Sequence, residues 1–176
     1  MQTRKINDEV LYVDDDIVCV GRTDIEGLKS LAEKNVRKRI RLCAHPDAES
    51  RLHEMFIVLG KENYIRPHRH PSKSESFHVI EGRADIVLFD EAGTPIKCIE
   101  LGVYSSGRRF YFRIDRPIFH TVVVISARFV FHETTNGPFN RSDTEFALWA
   151  PEETDVSAGS LFLCNSLQRM GVSHDS

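Results

Sequence analysis

The stretch that decides the fold covers residues 66–82 and reads RPHRHPSKSESFHVIEG. Successive side chains of a β-strand point to opposite faces, so His68 and His70 are predicted to share one face. Glu75 follows after a short turn and begins the next predicted strand, which brings a carboxylate beside the two imidazoles. Imidazole with one carboxylate suits Fe(II), Mn(II), Ni(II), Cu(II) or Zn(II) rather than calcium. The stretch therefore predicts a metal site built on neighbouring β-strands.

A fourth ligand is expected from a later strand of the same sheet. His120 follows Pro117 and begins the apolar segment 121–125, which is predicted to be a strand. We predict that His68, His70, Glu75 and His120 hold one divalent ion, with Fe, Zn, Mn and Ni as the candidates. The alternative interpretation is a surface turn that is rich in histidine and binds nothing.

Composition bounds the class of protein. The 176 residues correspond to about one domain. With 41% apolar and 28% charged residues, the chain is an ordinary globular sequence, which excludes collagen, coiled coils and wholly disordered chains. A net charge of −3 argues against a nucleic-acid partner. Neither a long apolar segment nor a secretory signal is visible, so we expect no membrane partner and a cytoplasmic location.

The chain divides into three parts. Residues 1–45 contain two short β-prone runs and a helical pattern at about 24–36, which begins with a possible capping box at Thr23 and Glu26. Residues 46–150 are short strands broken by turns, which is typical of a sandwich or barrel. Residues 151–176 are expected to pack on the barrel through a short helix at Leu161–Met170 or to be partly disordered. The four cysteines form no C-x-x-C pair and are expected to be reduced and mostly buried.

A basic run follows the predicted helix and contains Arg37, Lys38, Arg39 and Arg41. It could bind an anionic partner. The favoured interpretation is that these cations complement the negative end of the helix and keep the surface solvated, because the chain as a whole is acidic.

The spacing from His68 to Gly82 matches the first cupin motif, H-x-H-x₄-E-x₆-G, without a gap. The second motif is met in part: Pro117 and His120 are present, but the segment is two residues shorter and lacks the glycine. A longer resemblance extends over most of the chain. Its residues are Arg39, Arg41, Leu42, Cys43, His45, Tyr64, Arg66, Pro67, Phe89, Asp90, Gly93, Thr121, Glu133, Gly137, Pro138, Phe139, Phe146, Ala147, Trp149, Ala150, Pro151 and Glu152.

These residues resemble the WbuC family, bacterial cupin-fold metalloproteins often found among genes for surface polysaccharide. The resemblance implies an all-β fold, a cupin-type double-stranded β-helix (jelly-roll) barrel, here with an N-terminal strand–helix extension. It also implies one divalent metal inside the barrel. It does not imply a reaction.

Three further residues are candidates for chemistry at this site. If the ligand strand is regular, Tyr64 and Arg66 face inward, where Arg66 would bind a carboxylate or phosphate and Tyr64 would hydrogen-bond substrate or donate a proton. For Arg66 the alternative is a structural ion pair with Glu81 or Glu133, and for Tyr64 it is packing. Glu133 would orient a metal-bound histidine if it points inward; otherwise His132 is the inward residue.

The leading functional hypothesis is a metal-binding cupin that acts on, or binds, a small anionic or sugar-like molecule. An isomerase of a sugar or keto acid and an Fe(II)-dependent dioxygenase are the enzymatic alternatives. A non-catalytic binder and a purely structural, metal-free cupin are the others. Because such barrels often expose a sheet edge, we also expect a homodimer.

Overall fold

The computed structural model describes residues 1–172 and consists mainly of two β-sheets with two α-helices outside them. The first sheet contains β1 (Thr3–Asn7), β2 (Val10–Val13), β3 (Arg39–Cys43), β4 (Leu52–Gly60), β6 (Glu75–Glu81), β9 (Tyr111–Ile114) and β11 (Arg128–Asn136). The second contains β5 (His68–Arg69), β7 (Arg83–Phe89), β8 (Pro95–Gly102), β10 (Phe119–Val124) and β12 (Glu145–Phe146). The helices are α1 (Arg22–Lys34) and α2 (Val156–Arg169).

The strand order confirms the predicted all-β jelly roll. It is β1-β2-β3-β4-β11-β6-β9 in the first sheet and β12-β5-β10-β7-β8 in the second. Neighbouring strands come from distant parts of the sequence, as in a double-stranded β-helix. The two sheets face each other without closing into one hydrogen-bonded barrel, so each retains its own edge strands.

The main core lies between the sheets and follows the two-residue period of the strands. Phe129 and Phe131 of β11 face Ile86 of β7 and Val122 of β10 across it, and all four are buried. Burying side chains of this size contributes roughly 1.5–3 kcal/mol each. Because alternate residues of these strands point into the core, the same period decides which polar side chains reach the interior.

The N-terminal extension adds strands and a helix to the first sheet. Ile25, Leu28 and Ala32 of α1 pack on the outer face of β3 and β4. The helix occurs as predicted but begins two residues earlier than expected, at Arg22. The predicted capping box at Thr23 and Glu26 was wrong: Asp24 Oδ2 accepts from the Gly21 N–H at 2.9 Å, so the cap lies at Gly21.

The C-terminal segment packs on the outer face of the second sheet. Helix α2 begins five residues before the predicted Leu161, after Asp155, whose side chain accepts from the Ala158 N–H at 3.0 Å. Its buried Leu167 joins the cluster formed by the outward side chains of β7 and β10. The final part of the tail, residues 173–176, lies outside the described residues.

All four cysteines are free, as expected, but they are not mostly buried. Cys43 is buried and Cys98 half-buried, whereas Cys19 and Cys164 are exposed. Cys19 lies in the irregular segment before α1 and Cys164 on the outer side of α2, where neither meets the core. Across residues 1–172, neither α-helix combines the length and the apolar character that a membrane crossing requires.

Candidate metal centre

The structure brings the four predicted ligands together between the sheets. His68 of β5 and His120 of β10 are directly paired in the second sheet. Glu75 is the first residue of β6 in the first sheet, and His70 follows β5. One potential ligand atom from each of the four residues lies within 4.8 Å of every other. His120 therefore lies beside the other three residues, although the second motif is met only in part.

Backbone carbonyl groups orient the three imidazoles. The Nδ1 atoms of His68 and His120 each donate to the carbonyl two residues earlier, that of Arg66 and that of Ile118, both at 2.9 Å. His70 Nδ1 donates to the Asp143 carbonyl at 3.1 Å. A carbonyl oxygen accepts only, so each Nδ1 carries the proton and each neutral ring keeps the lone pair on Nε2. The Nε2 atoms are therefore the ones that could bind a metal ion.

Two buried polar atoms in the centre have no hydrogen-bond partner among the residues that the structure describes. They are Glu75 Oε1 and His120 Nε2, which face each other at 2.6 Å. Glu75 and His120 are only 5% and 1% exposed. In the tautomer fixed by the Ile118 carbonyl, both atoms are acceptors, and an orphaned buried pair of this kind needs a cation or a proton between them. His70 Nε2 lies 3.4 Å from the other oxygen of Glu75.

The size and chemistry of the donor set fit one divalent transition metal ion. Nitrogen and oxygen ligands lie about 2.0–2.2 Å from zinc, so atoms on opposite sides of one ion are about 4.2 Å apart. A set within 4.8 Å needs to contract by about 0.6 Å at most to reach that span. His68, His70, Glu75 and His120 are the residues that could hold the ion.

Electrostatics prepare the centre for a cation. Burial lowers the pKa of His68 to about 4, so its imidazole is neutral at physiological pH. Burial opposes the charge on Glu75 too, but His120 and His70 outweigh it and hold the pKa of the carboxyl well below its usual range. The pKa values of His70 and His120 are raised in turn, because Glu75 outweighs their burial. The centre therefore presents a carboxylate that attracts positive charge.

Glu133 points toward the core. It is therefore Glu133, and not His132, that is the inward residue of β11. It pairs with Phe77 and Met55 on the core-facing side, whereas His132 packs outside against Phe56. Burial and then the negative charge of Glu75 raise the pKa of Glu133 to about 7. Within residues 1–172, the Glu133 side chain has no hydrogen bond or ion pair. It is a free carboxyl group beside the metal centre.

The predicted inward orientation of Tyr64 and Arg66 was wrong. The Tyr64 hydroxyl donates to the Pro151 carbonyl at 3.0 Å, and Arg66 donates to the Ala147 carbonyl at 2.9 Å and pairs with Glu152. Residues 61–67 do not form a strand, so the alternation that aligned these side chains with His68 does not extend back to them. Both lie on the outer side of the second sheet, under the C-terminal segment. The ion pair of Arg66 therefore involves neither Glu81 nor Glu133.

One aromatic ring of the C-terminal segment lies beside the centre. Phe146 of β12 pairs with His68, and their ring centroids are 6.1 Å apart. The guanidinium carbon of Arg66 lies 5.5 Å from the centroid of the Phe146 ring. Phe146 is 45% exposed, so it lies between the centre and the surface. The resemblance includes Phe146, but no pattern in the sequence predicts its pairing with β5.

This chain is similar to known proteins in part of its sequence and in its fold. A family model described as a domain of unknown function, DUF6016, matches residues 20–101. No curated protein matches the chain. A protein from Shewanella oneidensis is 12% identical, with a TM-score of 0.53 over 90% of this chain and 100% of that one. At this identity the likeness concerns the fold alone.

Two further solved structures are similar over shorter segments. The capsular polysaccharide assembling protein CapF from Staphylococcus aureus is 20% identical, with a TM-score of 0.45 over 56% of this chain. The present chain spans 27% of the length of CapF. An uncharacterised Klebsiella pneumoniae protein with a double-stranded β-helix domain is 15% identical, with a TM-score of 0.47 over 62% of this chain and 79% of that one.

The topology and the cluster together define the class of protein. The chain has a double-stranded β-helix fold of the cupin type, with a candidate metal centre of three histidines and one glutamate.

Proposed function

We propose that this protein binds one divalent transition metal ion through His68, His70, Glu75 and His120 and uses it to bind a small, oxygen-rich anionic or sugar-like molecule. The observation that carries the proposal is the buried contact between Glu75 Oε1 and His120 Nε2, neither of which has a hydrogen-bond partner. A cation satisfies both atoms at once. The match to the first cupin motif and the resemblance to the WbuC family support the same assignment.

The bound metal would supply Lewis acidity toward a carbonyl or hydroxyl oxygen of the ligand. Around it, the carbonyl groups of Arg66, Ile118 and Asp143 hold the histidine rings in one tautomer. The sheets exclude bulk water from His120 and Glu75. Beside these ligands, Glu133 supplies an inward carboxyl group that would exchange a proton with the bound molecule.

An inward carboxyl group beside the four ligands favours proton transfer as the chemistry, and hence isomerisation of a sugar or keto acid. In the setting that the WbuC resemblance implies, the substrate would belong to surface-polysaccharide metabolism. An Fe(II)-dependent dioxygenase and a non-catalytic binder use the same four ligands. They are distinguished by bound iron with substrate-dependent O₂ uptake, and by ligand binding without turnover.

Water-proton relaxation of the manganese-loaded protein tests the proposal. Four protein ligands leave part of the manganese coordination shell to solvent, so we expect enhanced relaxation that falls when oxalate is added. Glu133→Gln should keep both effects, because Glu133 is not one of the four ligands, whereas Glu75→Gln should lose them. Absence of an enhancement in the wild-type protein, or an enhancement that oxalate leaves unchanged, would contradict the proposal.

A further inference from the structure

The basic run after α1 contains one cation that differs from the rest. Arg37 and Arg39 both bind Glu9, at 2.6 and 2.9 Å, and Lys38 lies 3.7 Å from Glu33. Arg41 has neither an ion pair nor a side-chain hydrogen bond with any residue in the described part of the chain. Among the lysines and arginines of residues 1–172, it alone combines a half-buried side chain with the lack of such a partner.

Strand geometry places Arg41 on the side of the first sheet that faces the metal centre. Its neighbours Ile40 and Leu42 pack against α1 on the outer face, so Arg41 points the other way. In the sheet it pairs with Ile57, which pairs with Phe131 of the inter-sheet core. Arg41 therefore shares a face with Glu133, two residues further along β11.

The strand that carries Glu133, β11, lies between β3, which carries Arg41, and β6, which carries Glu75. The Arg41 charge lowers the pKa of the Glu133 carboxyl, although burial and Glu75 outweigh it. Glu133 in turn contributes to the raised pKa of His70. Arg41 is thus close enough to affect the charge of Glu133, but the two side chains do not form an ion pair.

A half-buried guanidinium without an anion has lost hydration that no ion pair replaces. Its planar set of donors matches a carboxylate or phosphate group. We infer that Arg41 binds the acidic group of the ligand whose other oxygen atoms reach the metal centre. This inference rests on the proposed function, and it moves to Arg41 the anion-binding role predicted for Arg66.

Calorimetric titration of the zinc-loaded protein tests the inference. The probes are oxalate, malonate, succinate and glutarate for the carboxylate form, 2-phosphoglycolate for the phosphate form, and acetate as the single-carboxylate control. We expect at least one probe with two acidic groups (a two-ended probe) to bind. Arg41→Gln should weaken the binding of that probe by about tenfold or more, which is the loss expected for a hydrogen bond to a charged group. Zinc affinity should not change.

Arg113→Gln is the matched control. Arg113 is exposed on β9, on the outer face of the same sheet, and binds Asp115 at 2.9 Å. The Arg113→Gln protein should bind every probe as the wild type does. Equal probe binding by Arg41→Gln and wild type, or no binding of any two-ended probe to the zinc-loaded wild type, would overturn the inference. Failure of zinc to bind at all would instead overturn the proposed function.

Chemical modification gives a second readout that needs no variant. Phenylglyoxal should modify Arg41 in the zinc-loaded wild type, and the probe that binds most tightly should protect it. Modification of Arg113 should be the same with and without the probe. Mass spectrometry of peptides locates both. Unchanged modification of Arg41 at saturating probe would overturn the inference.

Discussion

At the scale of single residues, the metal centre depends on which nitrogen of each histidine carries a proton. His68, His70 and His120 each donate Nδ1 to a backbone carbonyl, which leaves Nε2 for the ion. Glu75 supplies the only carboxylate of the set. Because main-chain groups impose these orientations, the ligand geometry exists before any ion is bound.

Loss of one ligand should weaken metal binding strongly. His120→Ala removes an Nε2 atom from the centre, and the loss of affinity should exceed the 10–100-fold that removal of an outer partner of a ligand costs. His78→Ala is the control, since His78 is exposed on the outer face of β6, opposite Tyr111. Competition with a chromophoric chelator measures both. Equal zinc affinity in the two variants would contradict the assignment of His120.

The sequence predicted the ligands better than the residues around them. His68, His70 and Glu75 are close in sequence, so strand alternation and one turn were enough to place them together. The same alternation failed for Tyr64 and Arg66, because residues 61–67 leave the strand and turn those side chains toward the C-terminal segment. No local pattern reports a long-range contact such as that of Arg66 with Glu152.

At the scale of elements, α2 fixes the segment that precedes the ligand strand. Its Gly159 lies directly on the Tyr64 ring: a Cβ atom there would be 2.3 Å from Cδ1. The sequence predicted the start of α2 too late, because Asp155 caps the helix well before the apolar residues on which the prediction was based. Burial of the Tyr64 ring, and the bond of its hydroxyl to Pro151, follow from this contact.

The two helical glycines should respond in opposite ways to alanine. Gly159→Ala forces its methyl group into the Tyr64 ring and should destabilise the protein by about 1–3 kcal/mol, as overpacking does. Gly27→Ala in α1 meets no atom within 4 Å and should stabilise it by about 0.5–1 kcal/mol. Urea unfolding measures both free energies. A Gly159→Ala protein as stable as the wild type would show that α2 does not pack on Tyr64.

The parallel pair of β2 and β3 is reinforced by Glu9, whose carboxylate accepts hydrogen bonds from Arg37 and Arg39. Arg37 chiefly, with Arg39 and against the effect of burial, lowers the pKa of Glu9 from 4.5 to about 2. A pKa lowered by folding gives stability that is present above the unfolded value and lost as the pH falls through the folded one.

Glu9→Gln should therefore reduce the free energy of unfolding at pH 7 and have a diminishing effect as the pH falls from 4.5 to about 2. Glu49→Gln, at an exposed loop position, is the control and should have no such pH-dependent difference. Urea unfolding across this pH range makes the comparison. A difference between Glu9→Gln and wild type that is constant over the range would contradict the ion-pair network.

At the scale of the whole molecule, the two sheets remain open and expose edge strands. β1 and β9 end the first sheet, and the side chain of Tyr111 on β9 is 51% exposed. Unpaired backbone groups at such an edge tend to pair with another chain. We therefore expect a homodimer in solution, which light scattering at micromolar concentration measures. A monomer under these conditions would contradict this expectation.

The convergence of three imidazoles and one carboxylate on a single ion is tested most directly by X-ray absorption spectroscopy of protein purified without chelator and loaded with zinc. Elemental analysis of the same sample should give one ion per chain. The absorption fine structure should show three imidazole ligands together with oxygen, and no sulfur. Protein that takes up no ion, or a spectrum with sulfur or only oxygen ligands, would contradict the assignment of this centre.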